Sequence, residues 1–254
     1  MFHKLVVSLT FDDGHLNHVN IARELNHYGI HATFFITTNI KSRNFISNKL
    51  KAIKIIASLG HEVGSHSVSH RRLTELPHNE LVYEVKESKE ILEKLLGKRI
   101  YGFAYPYYAH NLNVVRIVMN YYDYARNGPN PYDLFNMHIY DDQIAKYLIS
   151  SISPTYDISI SKIIKFLKIR LGYHKNINTN FGYINFISNY INNYTVNINN
   201  INSNYRWLVF TLHNEPINYI LHIVKALRMI GSMFGIKVEF KAMCEVLFGE
   251  ECLE

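Results

Sequence analysis

The chain has 254 residues, 48% hydrophobic and 19% charged, with a formal net charge of +6 and 14 histidines. That apolar content excludes a disordered chain, and the length suits one large α/β domain or two small ones. No run of Lys and Arg forms a nucleic-acid patch, so the basic balance (pI about 9.1) reads as a basic surface. No apolar stretch reaches the roughly 18 residues of a membrane span.

Apolar Leu5-Val6-Val7-Ser8-Leu9 predicts a buried first strand over residues 4–11, with Gly14 as the turn that ends it. Residues 15–28 follow as a helix, with Leu16, Val19, Ala22 and Leu25 near helical spacing and Gly29 as its stop. A second strand is predicted over 31–37 and a second helix over 45–59, closed by Gly60. Glu62-Val63-Gly64-Ser65 is a short strand. Residues 81–96 form a long amphipathic helix with Leu81, Val85, Leu92 and Leu95 on its inner face, ended by Gly97. A fourth strand (99–105), a helix (113–120) and a short strand (122–126) complete the first half. Residues 127–175 mix Pro129, Pro131 and Pro154 with one helix at 161–169. Residues 176–204 carry 12 Asn among 29 positions, a low-complexity stretch that reads as a surface insertion. Within it, Asn193-Tyr194-Thr195 is a glycosylation sequon, meaningful only in a protein exported through a glycosylating pathway. Regular structure resumes with a strand (206–212), a helix (217–229), a strand (236–240) and a terminal helix (241–248).

Repeated strand–helix alternation predicts a parallel sheet with crossover helices, closed at this length into a barrel. The whole chain, 1–254, reads as a single domain with a variable insertion at about 127–205. Cys244 and Cys252 make neither a disulfide framework nor a zinc-site spacing. Two inert thiols are expected, with a single bridge between them as the alternative.

Chemistry concentrates in three places. Asp12-Asp13 stands where the first strand runs out, although Asp-Asp-Gly is also a common turn sequence. Adjacent strand side chains point to opposite sides, so the two carboxylates are expected to do different jobs unless the strand bends. His66 and His70, four apart, share one face if the segment turns helically, and can then hold one metal ion; taken alone they read as surface histidines. His213 in Leu212-His213-Asn214 is a candidate acid or base at the end of a late strand. Together the three would face one end of a barrel.

Thr10-Phe11-Asp12-Asp13-Gly14, His66-Ser67-Val68-Ser69-His70 and Leu212-His213 resemble the ordered motifs of the polysaccharide deacetylase family (NodB-homology domain, carbohydrate esterase family 4). Phe103-Ala104-Tyr105-Pro106-Tyr107 resembles the family's Pro-containing motif. The resemblance covers residues 4–126 and, more loosely, 206–248; it does not extend to 127–205. It implies a distorted (β/α) barrel of about seven parallel strands. It also implies one divalent metal ion (zinc, with cobalt, iron, nickel or manganese as alternatives) on Asp13, His66 and His70. Asp12 would be the general base, His213 the general acid, and the Tyr107 backbone N–H an oxyanion donor. The implied reaction is hydrolysis of a non-peptide carbon–nitrogen bond, the deacetylation of an N-acetylated sugar or polysaccharide.

Two departures stand out. The family's Pro motif usually begins with an Arg that pairs with the base, and here that position is Ala104. No motif with Asp and Trp, which supports the catalytic His, is recognisable between Arg126 and Trp207. Arg126 is the candidate replacement for the missing Arg, and Asp133, Asp141 or Asp142 the candidate partner of His213. Tyr105, Tyr107 and Tyr108 offer either a sugar-stacking surface or strand-end packing. Two other functions compete. One is hydrolysis of another amide, a formamide or a cyclic imide or ureide, on the same fold. The other is a degenerate carbohydrate-binding or regulatory protein, which the loss of the Arg favours and the retention of Asp12, Asp13, His66, His70 and His213 opposes. The expected partner is a carbohydrate or small amide, with no nucleic acid. No secretory signal is visible in Met1-Phe2-His3-Lys4, so a cytoplasmic location is expected, or an extracellular one if a leader was removed.

Overall fold

The computed structural model describes residues 4–39, 43–128, 142–151, 153 and 205–253. Strand β1 (Lys4–Phe11) leads to helix α1 (His18–His27), β2 (Thr33–Ile36), α2 (Arg43–Ser58), β3 (Glu62–Ser65) and α3 (His78–Leu96). Strand β4 (Gly102–Ala104), α4 (Leu112–Met119), β5 (Tyr124–Arg126) and the short α5 (Asp142–Ala145) follow. The last described elements are β6 (Tyr205–Leu212), α6 (Ile217–Phe234), β7 (Lys237–Phe240) and α7 (Met243–Phe248). The strands form one seven-stranded sheet in the order β5-β4-β3-β2-β1-β6, with β7 also paired to β1. Every ladder is parallel. The sheet curls into a half-barrel, the distorted (β/α) barrel that strand–helix alternation predicts. The helix read at 161–169, the Asn-rich stretch, Asn193, Asp133, Asp141 and the side chain of Asp142 lie outside the described residues.

Period-two alternation sorts each strand into two faces. Leu5, Val7, Leu9 and Phe11 of β1 join Ile21, Leu25 and Phe34 in the core between sheet and helices. The alternate row meets the barrel interior, where Val6, Phe35, Ala104, Tyr124, Trp207 and Val209 cluster. Asp12, Arg126 and Thr211 continue those interior rows beyond Thr10, Tyr124 and Val209. Strand parity therefore sends a carboxylate, a guanidinium and a hydroxyl toward one another above an apolar floor.

The sheet ends, β5 and β6, are bridged by side chains. Arg126 Nη1 donates to Thr211 Oγ1 at 2.9 Å, and the Ser151 and Thr211 hydroxyls lie 2.5 Å apart. At the opposite end of the barrel α7 acts as a plug. The backbone N–H of Met243 donates to Thr33 Oγ1 at 2.9 Å and that of Cys244 to Glu62 Oε2 at 2.9 Å.

Cys244 and Cys252 are bonded to each other as a disulfide, which corrects the expectation of two thiols. The 3-10 turn Glu250–Leu253 folds the chain back on α7 and brings the two Cα atoms to 6.1 Å, within disulfide reach. No helix among the described residues is long and apolar enough to cross a membrane.

Candidate metal and catalytic site

In a parallel barrel all strand C-termini share one end, which is where such folds place their reacting groups. Phe11, Ile36, Ser65, Ala104, Arg126 and Leu212 end their strands there. Asp13, His66 and His70 each offer one ligand atom, and the three atoms lie within 4.8 Å of one another. The Asp13 Oδ1 atom is 3.7 Å from His66 Nε2 and 3.4 Å from His70 Nε2.

The route to this cluster differs from the expected helical turn. Residues 66–72 form no helix; Ser67 (φ 65°) and His70 (φ 55°) adopt left-handed backbone. Side chains hold the loop in that shape. The His70 N–H donates to Ser67 Oγ at 3.1 Å, and the Ser69 N–H donates to buried Glu84 Oε2 at 2.8 Å, while the Ser69 hydroxyl donates to Glu84 Oε1. Asp13 is left-handed too (φ 74°), followed by Gly14 at φ 68°. The chain bends there and brings both carboxylates to the same imidazole, so strand alternation does not separate them. Tyr107 (φ 55°) and Tyr108 (φ 56°) complete the set of non-glycine residues with positive φ among the described residues, and all five lie at this site. Such conformations persist where surrounding contacts enforce them, commonly at functional sites.

His66 is held in one tautomer. Its Nδ1 lies 2.8 Å from the carbonyl oxygen of Ala104, which can only accept, so Nδ1 carries the proton and Nε2 presents its lone pair to the cluster. Burial pushes the imidazole down to about 4, so His66 is neutral near pH 7. One carboxylate and two imidazoles with ligand atoms this close fit a single divalent transition cation.

Asp12 is buried beside this cluster, with Oδ2 4.0 Å from His66 Nε2. Arg126 Nη2 donates to both of its oxygens, at 2.7 and 2.5 Å. Burial is the largest influence on the Asp12 carboxyl and raises it, but Arg126, His66 and His213 together outweigh burial and hold it below the usual carboxylate range. Register explains how Arg126 takes the place of the missing arginine. Ala104 and Arg126 are paired across β4 and β5, so both side chains stand in the same interior row, one strand apart. The guanidinium also lies over the rings of Phe35 (5.3 Å) and Tyr108 (5.6 Å).

His213 follows β6 and is half-buried, and its charge contributes to lowering Asp12. Its N–H donates to Glu215 Oε2 at 2.6 Å. The tyrosines divide in role. Tyr105 is fully buried, its hydroxyl donating to the Tyr147 carbonyl at 3.1 Å, and the ring of Tyr108 covers Gly128. Tyr107 is 55% exposed, with its ring centroid 4.6 Å from that of His70 and Arg72 over it at 5.2 Å. Of the three, Tyr107 has a ring open to a ligand.

Several residues at the site were not singled out in the sequence. Lys49 is buried, donating to Thr37 Oγ1 at 2.9 Å and to the Asp13 carbonyl at 3.3 Å, and Thr37 Oγ1 donates to the same carbonyl at 2.9 Å. Burial pulls the Lys49 ammonium down to about 8 against the opposing pull of Asp13. Lys49 shares helical spacing with buried Ala52, Ile53 and Ile56, so a lysine on an apolar face was the available signal. Glu84 likewise shares the inner face of α3 with Leu81, Val85, Ser88 and Leu92. His15 Nε2 lies 3.4 Å from Asp13 Oδ2, the oxygen facing away from the imidazole pair.

Fold and residues together define a distorted (β/α) barrel carrying a carboxylate–imidazole cluster and an arginine-held buried carboxylate at the C-terminal ends of its strands. The chain matches the family described as Polysaccharide deacetylase over residues 2–124, just under half of its length. It is 34% identical over 96 residues to the peptidoglycan-N-acetylmuramic acid deacetylase PdaC of Bacillus subtilis, a span of 37% of this chain and 20% of that protein. It is 33% identical over 98 residues to a peptidoglycan-N-acetylglucosamine deacetylase of Bacillus cereus, 38% of this chain and 34% of that one. The matched span is thus about a third or less of each of these two relatives. The crystal structure of a carbohydrate esterase family 4 pseudoenzyme from Bacillus anthracis shares the fold. Its TM-score is 0.56 at 14% identity, over 98% of this chain and 67% of that one.

Proposed function

We propose that the protein is a metal-dependent deacetylase of an N-acetylated sugar or polysaccharide. The reading rests on the convergence of Asp13, His66 and His70 beside a buried Asp12 that Arg126 keeps ionised. Asp13, His66 and His70 would hold one divalent ion, zinc by its ligand preference, with cobalt, iron, nickel or manganese able to use the same set. When bound, such an ion supplies Lewis acidity toward a carbonyl and toward water.

The chain's own groups perform the proton transfers. Asp12 accepts a proton from the attacking water as its oxygen bonds to the acetyl carbon. The Tyr107 backbone N–H donates to the oxyanion that develops. His213 then gives a proton to the departing amine nitrogen as the carbon–nitrogen bond breaks, releasing acetate and a free amino sugar. Arg126 keeps Asp12 deprotonated and oriented, and Ala104, through its carbonyl, orients His66.

The relatives' names point to N-acetylhexosamine units of a peptidoglycan-type polymer as the substrate class. The exposed ring of Tyr107 offers a face for a sugar ring. The Cys244–Cys252 disulfide favours action in an oxidising compartment over the cytoplasm. We read the chain as one catalytic domain, with 127–205 as an insertion. The degenerate, non-enzymatic reading loses its main support once Arg126 occupies the role vacated at Ala104. Acetate release from chito-oligosaccharides and peptidoglycan fragments, run beside a panel of formamides and cyclic imides, tests the proposal. Acetate from the sugars supports it, whereas turnover of the panel alone moves the substrate to another amide. No turnover of either by metal-loaded protein sinks the enzymatic reading.

A further inference from the structure

The first turn of α1 is stitched to the segment that carries His213. His18 is fully buried, its ring against those of Phe11 (5.7 Å) and Phe34 (5.6 Å). Its Nε2 lies 2.5 Å from the carbonyl oxygen of His213. A carbonyl only accepts, so Nε2 carries the proton and Nδ1 does not. That Nδ1 is buried and has no hydrogen-bond partner among the described residues. A phenylalanine would fill the same wedge between Phe11 and Phe34 and leave no polar atom stranded. The one hydrogen bond the imidazole makes among the described residues is therefore its N–H to His213.

Neighbouring bonds act on the same peptide units. The His213 N–H is taken by Glu215, the Asp12 N–H donates to the Leu212 carbonyl at 2.9 Å, and Asn17 Nδ2 donates to Asn214 Oδ1 at 3.2 Å. Both backbone polar atoms of His213 are thus fixed from its own turn and from α1.

We infer that His18 is a positioning residue for His213, clamping its carbonyl so that the imidazole is aimed at the reacting nitrogen beside Asp12. The inference rests on the assignment of His213 as the general acid. Burial pushes His18 down to about 4, against the pull of its bond to His213, so the neutral donor form persists through the working range. Orienting contacts of this kind act on the rate of the step more than on substrate affinity.

The test uses the full-length, metal-loaded protein and acetate release from chito-oligosaccharides. His18→Phe keeps the packing and removes the donor; His18→Gln places an amide N–H near the position of Nε2. The expected result is a kcat at least tenfold lower in His18→Phe, with KM within twofold, metal content unchanged and faster amide hydrogen exchange at His213. His18→Gln recovers most of kcat. A folded His18→Phe protein with kcat within twofold of the parent overturns the inference. Where His18→Phe does not fold, His18→Gln decides: recovery supports positioning, and a loss as deep as that of His213→Ala overturns it. A separate result, full kcat in His213→Ala, would instead remove the acid assignment itself and this inference with it.

Discussion

Replacing Arg126 with methionine tests the electrostatic core of the site. Arg126 is 0% exposed and Asp12 1% exposed, and two hydrogen bonds of 2.7 and 2.5 Å join them. Methionine matches the apolar stem but leaves the carboxylate buried with no guanidinium. Breaking a buried pair from one side costs about 3–5 kcal/mol, a large part of the roughly 5–15 kcal/mol that holds a domain together. The cost depends on pH. In the parent, Asp12 lies below its ordinary 3.8, so its pairing contributes stability above that value and loses it as pH falls. Without Arg126, the largest lowering influence goes and burial dominates, so the carboxyl moves upward. The variant is then penalised most near neutrality and least in acid. Urea unfolding at pH 7 and pH 5 reads this directly: the gap between parent and Arg126→Met is wider at pH 7. Protonation of the proposed base lowers kcat at pH 7 by about 10²–10³, with recovery as pH rises. The swap Ala104→Arg with Arg126→Ala restores both properties. The launch point moves by one strand spacing, about 4.8 Å, in the same interior row. Equal stability of Arg126→Met and parent at both pH values, with kcat intact, would refute the pairing as the source of Asp12's ionisation.

Other perturbations separate scaffold from chemistry. His61 is fully buried, its Nδ1 accepting the Ala32 N–H at 3.2 Å and its Nε2 donating to the Ala22 carbonyl at 2.8 Å; burial pushes it from 6.5 to about 4. Below pH 6.5 the unfolded chain binds a proton that the folded chain refuses, so stability falls from pH 6.5 toward 4, by about 2–3 kcal/mol from this residue. His61→Gln should be less stable at pH 7 but lose less on acidification, and parallel urea midpoints across that range would contradict this. Removing the disulfide with Cys244→Ser and Cys252→Ser should cost about 2–3 kcal/mol for so short a loop, read by urea unfolding, while metal content stays unchanged. Tyr107→Ala should raise KM several-fold with little change in kcat, and an unaltered KM would show that the ring is no sugar platform.

The fold was legible because the pattern is strong where the barrel is strong. Gly-closed helices alternate with apolar strands through the first half, and β3 falls at Glu62–Ser65 as read. Asp12, Asp13, His66 and His70 announced themselves by residue type and position. Their geometry did not, because four left-handed or loop residues, Asp13, Ser67, His70 and Tyr107, carry it, and nothing in an H-x-x-x-H spacing distinguishes a loop from a helical turn. Arg126 could be named only as a candidate, since its role depends on β4 and β5 being neighbours in register. Lys49 and Glu84 sit on apolar helix faces, a local conflict with patterning that flags a buried polar contact but does not name the group it serves. The disulfide stood only as the alternative to two thiols, because two cysteines eight apart approach only after the last turn folds back.

The most direct measurement is acetate release from chito-oligosaccharides by protein stripped with a chelator and then titrated with zinc, alongside His66→Ala. Deacetylation by the parent should vanish on stripping and return in full at about one ion per chain, with no return in His66→Ala. Acetate release that survives chelation, or that His66→Ala recovers as the parent does, would contradict a catalytic ion on Asp13, His66 and His70.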